Sequence, residues 1–78
     1  MINLRSAATL ARRGDWKAAH ALAQADDSLL GAWLHGILHV MDGDLENAAY
    51  WYARAGRNFA GRSSPLEELA RLEAELQD

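Results

Sequence analysis

The sequence predicts an all-α fold of stacked helical hairpins in a single domain, 1–78. Three observations carry that expectation. Apolar residues recur at helical spacing in every segment, no segment alternates as a strand would, and a glycine–aspartate elbow occurs twice, at Gly14-Asp15 and Gly43-Asp44, 29 positions apart.

The first helix is expected over 3–13, with Leu4, Ala7, Ala8 and Ala11 on one face. Gly14 ends it, since glycine takes the left-handed backbone that closes a helix. Asp15 is then expected to cap a second helix, reaching Ala25, by accepting the free N–H groups of its first turn. Asp26-Asp27-Ser28 is a break, and Ser28 caps a third helix ending near Met41. Gly43 and Asp44 repeat the elbow before a fourth helix ending near Ala55. A loop over 56–63 leads to Ser64-Pro65-Leu66-Glu67, which has serine at the cap, proline at the first helical position and glutamate closing a capping box. The last helix, 64–77, carries Leu66, Leu69, Leu72 and Leu76 along one side, with Glu67 and Arg71 as an i, i+4 pair on the other. The chain thus divides into a hairpin at 3–25, a hairpin at 28–55 and a C-terminal helix expected to cap the open end of the stack.

The second hairpin resembles the tetratricopeptide repeat over roughly residues 29–60. Gly36, Gly43, Ala48, Tyr52 and Ala55 fall at that family's small-and-aromatic spacing. Gly36 carries weight because a mid-helix glycine costs about 1 kcal/mol relative to alanine, which close packing of helix three on helix four would explain. The first hairpin keeps less of the pattern, with Ala23 where the aromatic stands. The segment His35-Gly36-Ile37-Leu38-His39, followed by Gly43-Asp44 and by Asn47 to Arg54, is also similar to one found in small bacterial proteins. That resemblance implies a bacterial helical-repeat protein and supplies no catalytic residues.

Composition narrows the function. The chain has 78 residues, no cysteine and a net charge of −3. Disulfides and thiolate–metal clusters are therefore out, and general nucleic-acid binding is disfavoured. The apolar runs are far shorter than the ~20 residues of a membrane-spanning helix. Arg5, Arg12 and Arg13 precede no apolar stretch, so the start does not read as a secretory signal. A cytoplasmic protein is expected.

Three groups of residues are candidates for function. Leu30, Trp33, Ile37, Val40 and Met41 form an apolar stripe on helix three. In the resembled family that side faces a peptide groove, so the stripe is expected to take a protein or peptide partner, to be covered by the N-terminal helix or to be buried in a homodimer. His35 and His39 share one helical face, and His20 approaches them if the hairpins stack. The expectation for His35 and His39 is partial burial with hydrogen bonds to Asn47, a tyrosine or the backbone, and the rival is a metal or small-ligand site. Gly36 stands where a zinc protease would need glutamate after the first histidine. Tyr50, Trp51, Arg54 and Arg57 could form a surface that stacks bases or holds anions; the expected reading is a solvated loop plus an aromatic covered by the C-terminal helix. No nucleophile–base pair or phosphate loop is present. The sequence therefore predicts a protein-interaction module, not an enzyme, with no cofactor.

Overall fold

Asn3 starts the first helix, its side-chain oxygen accepting the N–H groups of Arg5 and Ser6. In the computed structural model, which describes residues 3–76, five α-helices follow in order and no strand occurs among the described residues. They are α1 (Leu4–Arg12), α2 (Trp16–Gln24), α3 (Leu29–Met41), α4 (Leu45–Ala55) and α5 (Pro65–Glu75). The expected end of the last helix, at 77, lies outside the described residues.

Both elbows close by the same bonds. At the first, Asp15 N donates to Leu10 O and Gly14 N to Ala11 O; at the second, Asp44 N donates to His39 O and Gly43 N to Val40 O. Gly14 and Gly43 sit at φ +86° and +83°, the left-handed region such a closure requires. The elbows differ in their caps. Asp44 accepts from Asn47 N and is held by the Asn47 amide, whereas the Asp15 side chain makes no capping bond. The residue matching Asn47 in the first hairpin is Ala18, which has no amide to hold the carboxylate. Ser28 and Ser64 cap as expected, accepting from Gly31 N and Glu67 N. The expected Glu67–Arg71 pair does not form. Arg71 instead turns to Glu68, one position on.

Helix α3 is the centre of the molecule. Every residue from Gly31 to His39 is buried, because α2, α4, α5 and α1 all pack on it. A helix apolar on all sides is stable only when enclosed in this way. On α1 and α2 the buried faces are almost wholly alanine: Ala7, Ala8 and Ala11 on one, Ala19 and Ala23 on the other. Between α3 and α4, a Cβ at Gly36 would stand 2.6 Å from Tyr52 Cδ1, so the glycine is what lets the Tyr52 ring lie against the helix.

Helix α5 does more than cap an end. It packs on both α3 and α1. Leu69 and Leu72 are wholly buried there, each burial stabilising by about 1.5–3 kcal/mol. Arg12 pairs with Glu73, and Arg5 donates to Leu76 O, fastening α5 to α1. Beneath them the Glu68 carboxylate accepts from Trp33 Nε1 (3.2 Å), Tyr52 Oη (2.7 Å) and Ser63 N (3.3 Å).

Candidate functional site

Two helices bring the histidines together. His20 lies on α2 one turn after Trp16, and His35 and His39 lie one turn apart on α3. Trp16 Nε1 donates to Leu38 O at 2.6 Å, fixing the rotation of α2 against α3. That bond aims the next turn of α2, which carries His20, at the histidine face of α3. One ring nitrogen from each of His20, His35 and His39 lies within 4.8 Å of the other two. The convergence anticipated for stacked hairpins is present.

The rings are held by aromatic walls. Trp16 stacks on His20 with centroids 4.5 Å apart, and Trp51 of α4 stacks on His35 at 3.9 Å. His20 meets His35 edge-on at 4.6 Å, while His35 and His39 stack at 5.0 Å. His35 and His39 are buried and His20 is half-buried, so the cluster is reached from the α2 side.

Burial sets the protonation. The pKa of His35 falls to about 4, first because desolvation disfavours the imidazolium and then because His20 and His39 would repel it. His20 is lowered as well, by desolvation and then by His39, with Asp42 pulling the other way. Near neutral pH, His20 and His35 are therefore neutral imidazoles with a free lone pair each.

The expected hydrogen bonds from the buried histidines to Asn47 or a tyrosine do not form. Asn47 is exposed and engaged with Asp44, and Tyr52 donates to Glu68. His39 Nδ1 is buried with no hydrogen-bond partner, and its nearest acid is Asp42, with Oδ1 3.7 Å away. An orphaned polar atom in the interior calls for a reason.

The other candidates are dispersed. Trp33 and Ile37, placed by the sequence on a stripe expected to need a cover, are buried at 2% and 0% exposure. The physical reason is α5, whose Glu68 takes the Trp33 indole N–H, while the Arg57 guanidinium covers the ring at 3.8 Å. The cover expected from the N-terminal helix, a partner or a second subunit comes at Trp33 from α5 and Arg57. Leu30 and Val40 are half-buried, and Met41 is exposed. Tyr50, Trp51 and Arg54 stay together, with the Arg54 guanidinium 5.9 Å from the Tyr50 ring and 5.4 Å from Trp51. Arg57 leaves this group for Trp33 and a two-pronged pair with Glu75.

Sequence reasoning missed the parts played by Trp16, Asp42 and Glu68. The i, i+4 spacing of Trp16 and His20 is a signal for the first, and the position of Glu68 four residues before Leu72 on the buried side of α5 is one for the last. Asp42 had no local signal. No described helix is long and apolar enough to cross a membrane. Comparison with protein-family models, curated proteins and solved structures returns no match, so the chemistry rests on these residues alone.

Proposed function

We propose that this chain binds a divalent transition-metal ion through His20, His35 and His39, on a scaffold of tetratricopeptide-like hairpins. The observation that carries the reading is the convergence of three ligand nitrogens from two helices within 4.8 Å. All-imidazole donors suit zinc, nickel, copper or iron rather than calcium or magnesium. The lowered pKa values of His20 and His35 support it, since a metal binds the neutral ring. The three imidazoles, walled by Trp16 and Trp51, would hold the ion, which would supply Lewis-acid chemistry there. Three protein ligands leave one coordination position for water or an exogenous ligand, the arrangement of reactive rather than purely structural sites.

Asp42 completes the reading. Histidine ligands commonly give their second ring nitrogen to a carboxylate, which fixes the ring. His39 Nδ1 lies 3.7 Å from Asp42 Oδ1, which also accepts from Asp44 N at 3.1 Å, so the carboxylate would turn to engage the ring. The test is equilibrium dialysis of the purified chain against zinc or nickel, followed by elemental analysis. One equivalent retained by the wild type and lost in a His35→Ala/His39→Ala variant is expected. Equal metal content in both proteins would refute the site.

A protein-interaction role is the second reading. It rests on Met41 and Leu45, exposed at 37% and 48% on either side of the second elbow.

A further inference from the structure

We propose a second, independent site: the cleft between the 56–64 loop and α5 binds a small, multiply charged oxyanion of the phosphate class. The cleft has a volume of about 420 Å³ and Trp33 at its base, and it shares no lining residue with the histidine cluster. Its size falls in the range of small-ligand pockets.

Three guanidinium groups face it, Arg57 and Arg62 from the loop and Arg71 from α5. Two carboxylates, Glu68 and Glu75, line the same cleft, so it is net cationic on a chain whose overall charge is −3. The Glu68 carboxylate turns inward to Trp33, Tyr52 and Ser63 N and takes only a 3.4 Å contact from Arg71. Most of the donor capacity of Arg71 is therefore free, on a side chain 60% exposed.

Arg62 is the decisive group. It is half-buried, its guanidinium lies 4.0 Å from the Phe59 ring centroid, and it gives one N–H to Phe59 O. Among the described residues no carboxylate comes within ion-pair distance of it. A guanidinium held in place by a ring and a carbonyl, without a counter-charge, has already met the cost of ordering and keeps N–H groups to offer. Arg57 is likewise fixed by Trp33 and Glu75. Planar forks of this kind match the paired oxygens of phosphate, and several around one volume favour a compact polyanion. Gly61 contributes by being small, because a Cβ there would press to 2.8 Å on the Asn58 amide at the cleft edge.

The experiment is calorimetric titration of the full chain with inorganic phosphate, pyrophosphate and succinate at low and high salt. Saturable one-site binding of pyrophosphate is expected, weakening with salt. It should fall about tenfold or more in Arg62→Ala, which is one lost charge-assisted contact of roughly 1.4 kcal/mol or greater. Arg71→Ala, an exposed position whose loss does not threaten folding, should weaken it too, and the His35→Ala/His39→Ala variant should bind as the wild type does. Absence of saturable binding, or affinity unchanged in both arginine variants, overturns the site. Succinate binding as well as pyrophosphate overturns the phosphate assignment.

Discussion

The Trp51 indole lies flat on the His35 imidazole, with centroids 3.9 Å apart and planes 13° from parallel. This contact joins α4 to the histidine face of α3 and fixes the plane in which the His35 nitrogens point. Aromatic pairs of this kind contribute about 0.5–1.5 kcal/mol beyond area burial. Trp51→Ala should therefore weaken zinc binding by up to about tenfold, with Trp51→Phe close to the wild type. A competition assay with a chromogenic chelator measures it. Equal affinity in Trp51→Ala and the wild type would remove the indole from the site.

The same burial makes stability depend on pH. His35 titrates at about 4 in the folded chain against an ordinary 6.5. Between those values the unfolded chain holds more protons, so stability rises with pH, is fully present above the ordinary value and is lost as pH falls toward 4. His20, lowered in the same direction, adds to the effect. In metal-free protein the urea midpoint should drop from pH 7 to about pH 4.5, and His35→Gln should show a smaller drop. An equal drop in both proteins would show that acidic residues, not the histidine, set the slope.

Gly36→Ala sets two effects against each other. Helix propensity favours alanine by about 1 kcal/mol. Against that, the new Cβ would sit 2.6 Å from Tyr52 Cδ1, and the ring cannot retreat because its hydroxyl is tied to Glu68 at 2.7 Å. Overpacking of a fixed core costs about 1–3 kcal/mol. The steric effect outweighs the propensity, and a net loss of up to about 2 kcal/mol is expected by chemical denaturation. A stabilised Gly36→Ala would mean that Tyr52 moves more freely than its contacts imply.

Glu68 is the polar anchor of α5. Removing its carboxylate leaves Trp33 Nε1 and Tyr52 Oη as buried donors without acceptors. Each unsatisfied group costs about 1–3 kcal/mol, so Glu68→Ala should lose roughly 2–5 kcal/mol and Glu68→Gln, which keeps an acceptor, clearly less. Burial and then the bond to Glu68 push the Tyr52 pKa upward, so an absorbance titration should show Tyr52 resisting ionisation through the range where a free phenol, with a pKa of about 10, titrates. Ionisation of Tyr52 in the range of a free phenol would contradict the buried bond.

Much of this molecule was legible in the sequence. Its five helices, the glycines at both elbows, the serine caps on α3 and α5 and the close approach of Gly36 to helix four each depend on backbone conformation or on a spacing within one hairpin. The histidine convergence was legible as a conditional, since it follows once α2 stacks on α3. The groove was misplaced because helical periodicity shows that α5 has an apolar side but not which surface that side meets. The same uncertainty hid Glu68, whose three donors come from α3, α4 and the loop. It also split Arg57 from Arg54, since a chain direction set at Gly56 carries one to Trp33 and leaves the other over Trp51.

By itself the sequence determined where each helix starts and stops, because caps and left-handed glycines act over about five residues and need no distant partner. Only the tertiary structure decided that α5 lies across α1 and α3, and that Trp16 rotates α2 until three imidazoles meet. Those outcomes depend on which apolar faces find one another, and burial, being nondirectional, leaves that choice to the whole set of surfaces at once.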